Sequence, residues 1–130
     1  MNKHLEKAKE LREGAVHYNC AQSVLLSFAD DLGMSEKDLI GIGSNFGGGM
    51  KCGGTCGAIA AGLMVLGALG VESPQEVGKF RRTIADNHEG CTDCKDLLRI
   101  NAQKGGDREE HCDRMICEAI ELVDKLVCSK

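Results

Sequence analysis

Two cysteines stand four positions apart in a glycine-rich stretch that leads into an apolar segment. Cys52 and Cys56 lie within residues 46–62, where glycines occur on both sides of each cysteine. Glycine allows positive φ and lets the backbone approach other groups closely. A helix start offers unpaired N–H groups and a partial positive charge, which favour the thiolate form of cysteine. Because thiolates attack disulfides and bind soft metals, this stretch predicts redox or metal chemistry.

The spacing of this pair supports a shared function. If both residues were helical, a spacing of four would bring the sulfurs of Cys52 and Cys56 to one helix face, within reach of one metal or of each other. Cys56, at the helix start, would then have a lowered pKa and attack, while Cys52 would resolve. The alternative is that both are small buried residues in a packing contact. In a cluster-binding protein, the loop glycines Gly48, Gly49 and Gly53 would offer backbone N–H groups to the cofactor.

Three further cysteines have positions that suit the same site. Cys20 follows a candidate N-cap, Asn19, and would lie in a first helical turn. Cys94 opens a short helix, where thiolate is again favoured. Cys112 lies on the apolar stripe of the last predicted helix and is expected to face inward. Each is a candidate metal ligand together with the pair in the glycine loop.

The remaining cysteines carry weaker signals. Cys91 and Cys94 have the spacing of a metal knuckle or a redox pair, and Cys91 is either auxiliary or incidental. His88, three residues before Cys91, would extend this to a His-x-x-Cys-x-x-Cys ligand set. Cys117 and Cys128 lie off the apolar stripe of their helix and are interpreted as incidental.

Composition excludes several classes of protein. The 130 residues correspond to one domain, 1–130. A net charge of −4 with no basic block, one Tyr and no Trp argues against nucleic-acid binding. The uncharged residues 53–71 are rich in glycine and predict a buried helix rather than a membrane span. The chain has eight cysteines, and its charged amino end does not have the pattern of a secretory signal. This combination is typical of proteins in a reducing compartment, so we expect a cytoplasmic protein.

The elements that position these thiols are predicted to be helices. Caps and apolar periodicity predict helices over about 2–13, 19–32, 35–42, 55–69, 73–89, 92–100 and 108–127. The segment 55–69 is apolar all round, as in a central buried helix. No strand pattern occurs, so we expect an all-α, compact bundle of about five to seven helices around one apolar central helix. That central helix would permit a homodimer without requiring one.

The same residues carry a family resemblance. The matching stretches are residues 18–25, 46–49 and 56–58. The matching single residues are Cys52, Cys94, which precedes Leu97 and Leu98, and Cys112, which precedes Ile116 and Ala119. With them the chain resembles the C_GCAxxG_C_C family of redox-active proteins. The resemblance implies a redox centre built from Cys20, Cys52, Cys56, Cys94 and Cys112. The chain is also similar to a domain of split-Soret cytochromes, which implies a non-haem iron–sulfur site.

Three hypotheses follow. The first is a small intracellular redox protein in which four thiolates from this set of five hold an iron–sulfur cluster for electron transfer. The second is a metal-free thiol–disulfide oxidoreductase that uses Cys56 and Cys52. The third is a structural zinc protein. Whether the protein is an oxidoreductase or an electron carrier stays open, as does the identity of its redox partner protein.

Overall fold

The computed structural model describes residues 2–128, and its regular elements are helical. The predicted all-α class is confirmed. Beside a π-helical turn at Gly49–Gly53, these residues form the α-helices α1 (Lys3–Glu13), α2 (Cys20–Ser27), α3 (Ala29–Leu32), α4 (Glu36–Gly43), α5 (Gly57–Ala68), α6 (Pro74–Asn87), α7 (Cys94–Gln103) and α8 (Arg108–Cys128). No strand occurs among them, although Thr55 and Asp93 form an isolated antiparallel bridge.

Local capping signals set most helix starts. The Asn19 side chain accepts from the Gln22 N–H at 2.7 Å, and the Gln22 side chain accepts from the Asn19 N–H at 3.0 Å. This capping box starts α2 at Cys20, as predicted. Ser73 likewise caps α6, with Pro74 at its first position. Because these bonds join residues close in sequence, they can be recognised without the tertiary structure.

One predicted helix, residues 19–32, is divided in two. The chain leaves helical geometry at Phe28, with φ −108° and ψ 16°, so α2 and α3 are separate helices. The Ser27 hydroxyl donates to the Ser23 carbonyl at 2.7 Å, a contact that bends helices. The buried Phe28 ring stacks on His4 of α1, with ring centroids 4.0 Å apart. The break therefore lets Phe28 enter the core beside α1.

Helix α5 is central to the bundle, as predicted. It packs against both α2 and α8, and Ile59, Val65 and Leu66 on it are fully buried. A Cβ at Gly62 would lie 2.6 Å from Phe80 Cζ, so glycine here allows α6 to pack closely. Gly67 and Ala68, the last residues of α5, are exposed. The helix is therefore apolar along its whole length but not buried along all of it. Within residues 2–128, no helix combines the length and apolarity needed to cross a bilayer.

Candidate functional site

The thiols of Cys20 and Cys112 form a pair between the start of α2 and the second turn of α8. A side-chain hydrogen bond from Cys20 lowers the pKa of Cys112 to about 7, and the charges of Arg12 and Arg108 act in the same direction. The same hydrogen bond, together with burial, raises the pKa of Cys20. In this pair Cys112 therefore holds the negative charge and Cys20 the proton.

Two more cysteines adjoin this pair. Cys56 is the buried N-cap residue of α5, and Cys94 is the first residue of α7. The Cys56 N–H donates to the Thr92 carbonyl at 2.9 Å, and the Cys94 N–H donates to the Gly54 carbonyl at 2.6 Å. These two bonds hold the starts of α5 and α7 together. Electrostatic interactions link Cys56 to Cys94 and both of them to Cys112.

Electrostatic interactions thus connect four thiols near the starts of four helices. We call this set the thiol cluster: Cys20, Cys56, Cys94 and Cys112. Its members come from α2, α5, α7 and α8, and each lies at or near the amino end of its helix. The cluster contains four of the five cysteines that sequence analysis assigned to the site.

The fifth, Cys52, is not among these four thiols. It is exposed on the π-helical turn, where its thiol donates to the Gly49 carbonyl at 3.4 Å. Gly54 is extended, and Cys56 precedes the first residue of α5. The prediction that Cys52 and Cys56 share one helix face is therefore wrong, because the π-helical turn and the extended Gly54 interrupt the helix between them.

The predicted low pKa of Cys56 is also wrong. Burial raises its pKa to about 11, although the backbone N–H groups of Ala58 and Ile59 interact with its sulfur and favour the thiolate. Desolvation of the charged form outweighs the favourable helix start. Burial likewise raises the pKa of Cys94. Within the thiol cluster, the lowered pKa belongs to Cys112 instead.

Arg12 connects the two thiols of the Cys20–Cys112 pair. Its Nε donates to Asp113 Oδ1 at 2.6 Å, and its Nη1 donates to the Tyr18 carbonyl at 2.8 Å. One guanidinium thus holds the residue after Cys112 and the segment that leads to Cys20. Sequence analysis missed Arg12, because it lies at the other end of the chain from α8. Arg108, four residues before Cys112, has the spacing of a helix neighbour and was open to recognition.

The glycines of the loop have a backbone role. Gly48, Gly49 and Gly53 have φ of 62°, 63° and 75°, a region that side chains disfavour. A Cβ at Gly49 would also lie 2.2 Å from the Gly54 carbonyl oxygen. These glycines shape the turn that presents the Gly54 carbonyl to Cys94. Their assignment to cofactor binding stays a prediction.

The remaining cysteines lie outside the cluster. Cys91 is half-buried, and its thiol is 3.8 Å from the Glu89 carbonyl oxygen. His88 Nε2 pairs with Glu118 Oε2 of α8 at 2.7 Å. Cys117 is half-buried and lines a cleft between α1 and α8. Cys128 is exposed at the end of α8.

The cluster has the donor chemistry of a metal centre but not its arrangement. Thiolates are the usual ligands of iron–sulfur clusters and of structural zinc. Within the part of the chain that the structure describes, however, no three His, Cys, Asp or Glu side chains are grouped so that they could hold a metal ion. As arranged, the four thiols do not fit a metal or an iron–sulfur cluster, and the ligand assignment stays a prediction.

Comparison with known proteins gives the chain a family. A family model described as "Putative redox-active protein (C_GCAxxG_C_C)" matches residues 18–126. The chain belongs to the C_GCAxxG_C_C family. The matched residues include the whole thiol cluster and Cys52, and they leave Arg12 outside. No curated protein and no solved structure matches the chain. The resemblance to this family inferred from the sequence is thus confirmed, and the family's description is that of a redox-active protein.

Proposed function

We propose that the protein is a thiol–disulfide redox protein in which Cys112 and Cys20 are the reacting pair. The observation that carries this proposal is the placement of the two thiols between α2 and α8, where the Arg12 guanidinium holds both Asp113, next to Cys112, and the Tyr18 carbonyl, two residues before Cys20. The interaction of the two thiols lowers the pKa of Cys112 and raises the pKa of Cys20. A thiol is most effective as an attacking group when its pKa is near the ambient pH. With a pKa of about 7, Cys112 meets this condition at neutral pH.

The two thiols have separate steps in this proposal. The Cys112 thiolate attacks one sulfur of a substrate disulfide, forms a mixed disulfide and releases the other sulfur as a thiolate. Cys20 then loses its proton to solvent and attacks Cys112 Sγ. A Cys20–Cys112 disulfide forms, and the second substrate sulfur leaves as a thiolate. Two electrons pass from the protein to the substrate, and a reductant restores the two thiols.

The other two thiols of the thiol cluster, Cys56 and Cys94, do not attack substrate disulfides at neutral pH in this proposal. Burial raises the pKa of Cys56 to about 11 and also raises the pKa of Cys94, so both stay protonated. Their role is to surround the reacting pair with uncharged, polarisable side chains. All cysteines within residues 2–128 are free thiols, which supports a reducing compartment. We therefore propose a cytoplasmic protein that a separate redox protein reduces.

The test is to locate the disulfide. Reduced protein is treated with a mild disulfide oxidant, the remaining thiols are alkylated, and the peptides are mapped by mass spectrometry without reduction. We expect a loss of two thiols and a cross-link between Cys20 and Cys112. Cys20→Ser and Cys112→Ser should each abolish that cross-link, and Cys117→Ser, on the same helix as Cys112, should retain it. Two-thiol oxidation at any other pair would refute the proposal.

An iron–sulfur protein is the second candidate function. The gathering of four thiols from four helix starts supports it, because four is the usual number of cysteine ligands. Side chains would have to turn to bring three or more sulfurs to one metal. Protein purified without oxygen should be analysed for iron, acid-labile sulfide and zinc. Stoichiometric iron and sulfide that are lost in Cys56→Ser and retained in Cys117→Ser would favour this candidate over the dithiol, whereas zinc alone would favour a structural site.

A further inference from the structure

We propose that the cleft beside Cys112 binds a small disulfide that carries a carboxylate, and that Arg108 receives this carboxylate. The inference rests on the proposed thiol–disulfide function and names the substrate class of the same site. It depends on the shape of the cleft, on the cysteine that the cleft reaches, and on the charges that line it.

The cleft gives access to one member of the reacting pair. It has a volume of about 460 Å³ and lies between the end of α1, residues 16–18 and the start of α8. Cys112 lines it, whereas Cys20 does not. A disulfide that enters the cleft therefore meets Cys112 first, and Cys20 approaches from the protein side. This placement matches the order of attack in the proposed reaction.

The size of the cleft suits a small molecule. Binding sites for small ligands have volumes of about 300–1,000 Å³ and combine apolar walls with a few polar groups. Leu11, Val16 and Tyr18 give this cleft its apolar wall. Because Cys112 is half-buried, a reacting disulfide has to enter the cleft. A disulfide within a folded partner is held back from it by the surrounding chain.

Two arginines favour the thiolate of Cys112, and Asp113 opposes them. Arg12 and Arg108 both act on Cys112, but the guanidinium of Arg12 is engaged by Asp113. No ion pair within residues 2–128 includes Arg108, which is exposed and lies one helical turn before Cys112 on the same face of α8. A guanidinium in this position suits a carboxylate, which it can bind through two parallel hydrogen bonds.

Two acidic residues line the same cleft but do not cancel this charge at the sulfur. The Asp107 carboxylate accepts the backbone N–H of Glu110 at 3.1 Å and so caps the start of α8. Glu109 is exposed and adjacent to Arg108 in sequence, so the two side chains do not face each other along the helix. The rim of the cleft thus has mixed charge, and the end near Cys112 is positive. A carboxylate close to the substrate sulfur fits this pattern.

The experiment compares disulfides that differ in charge. The reduced protein is mixed with 3,3′-dithiodipropionate, which is anionic, with 2-hydroxyethyl disulfide, which is neutral, or with cystamine, which is cationic. The rate of Cys20–Cys112 disulfide formation is then measured by quenched alkylation. In Arg108→Gln we expect the ratio of the anionic to the neutral rate to fall about fivefold, and the ratio of the cationic to the neutral rate to rise. In Arg99→Gln, which removes an exposed arginine of α7 with the same change in net charge, both ratios should stay unchanged.

The ratios separate two effects of Arg108. Loss of this charge also weakens the Cys112 thiolate, but that effect slows all three probes equally and cancels in the ratio. Equal slowing of all three probes in Arg108→Gln would overturn the inference and leave the proposed function intact. Faster oxidation by a protein disulfide than by every small probe, with no dependence on Arg108, would overturn it in favour of a protein substrate. Failure of any oxidant to form the Cys20–Cys112 disulfide would instead refute the proposed function.

Discussion

Arg12 Nε donates to Asp113 Oδ1 at 2.6 Å and thereby joins α1 to α8 beside Cys112. The same guanidinium donates to the Tyr18 carbonyl at 2.8 Å, two residues before Cys20. One side chain thus fixes the relative position of both reacting thiols and adds positive charge next to them. Arg12 lies outside residues 18–126, the range of the family match.

We expect Arg12→Gln to raise the pKa of Cys112. The substitution removes a nearby positive charge and weakens the contact between α1 and α8, and both effects disfavour the thiolate. Together they should raise the pKa of Cys112 by roughly one unit. The measurement is the rate of iodoacetamide labelling of Cys112 against pH, with peptide mapping to identify the site. Arg12→Lys should restore part of the effect, because it returns the charge without both hydrogen bonds. Lys9→Gln, at an exposed position on the same helix, is the control. An equal labelling midpoint for Cys112 in Arg12→Gln and wild type would contradict the effect of Arg12 on this thiol.

Cys20→Ser should weaken the Cys112 thiolate only partly. A hydroxyl in place of the thiol can still donate a hydrogen bond, whereas the alanine variant cannot. We therefore expect the labelling midpoint of Cys112 to move up from about 7 in the order wild type, Cys20→Ser, Cys20→Ala. Thiolate absorbance near 240 nm, followed against pH, gives an independent readout. A midpoint that is the same in all three proteins would show that Arg12 and Arg108, and not Cys20, hold the charge.

Cys112 should contribute stability to the reduced protein that grows between about pH 7 and pH 9. The pKa of Cys112 falls from 9.0 to about 7 on folding, so in this window the unfolded chain binds more protons than the folded one. The free energy of unfolding therefore rises with pH, and this contribution is lost as pH falls through 7. Urea unfolding under reductant measures it, with Cys112→Ser as the reference. The raised pKa values of Cys20, Cys56, Cys94 and Cys117 act in the opposite direction as the pH approaches and exceeds 9. An equal pH slope in Cys112→Ser and wild type would contradict the prediction.

Gly49→Ala should destabilise the protein far more than Gly48→Ala. Both glycines have positive φ, which costs about 1–2 kcal/mol for any other residue. At Gly48 a Cβ meets no atom within 4 Å, whereas at Gly49 it would lie 2.2 Å from the Gly54 carbonyl oxygen. The backbone has to move there, and with it the Gly54 carbonyl that accepts from Cys94. Urea unfolding under reductant should show the difference, and similar losses of stability would contradict a steric role for Gly49.

Cys52→Ser should leave formation of the Cys20–Cys112 disulfide unchanged. Cys52 is exposed on the π-helical turn and lies outside the thiol cluster. Non-reducing peptide maps of the oxidised variant should therefore show the same cross-link and the same loss of two thiols as wild type. Disappearance of the two-thiol loss would instead support the Cys52–Cys56 dithiol that the sequence spacing suggested.

The sequence by itself determined the all-α class and most helix boundaries, and its five candidate cysteines include the four of the thiol cluster. The capping box of Asn19 and Gln22, and the Ser73 cap before Pro74, are contacts between residues close in the chain. The apolar character of residues 55–69 on all sides is equally local, and it identified α5 as the central helix. The division at Phe28 escaped prediction, because a stacking contact with His4 on another helix favours it.

Only the tertiary structure decided how the thiols are used. The pairing of Cys20 with Cys112 depends on how α2 and α8 pack. The raised pKa of Cys56 follows from burial under other helices, which a local helix-start signal does not contain. Cys52 lies on a turn whose left-handed residues include Met50 and Lys51, two types that rarely adopt this conformation, and the extended Gly54 separates it from the start of α5. The spacing of the cysteines shows only which of them are close in the sequence. The pKa of each thiol depends on residues distant in the sequence that folding brings close to it.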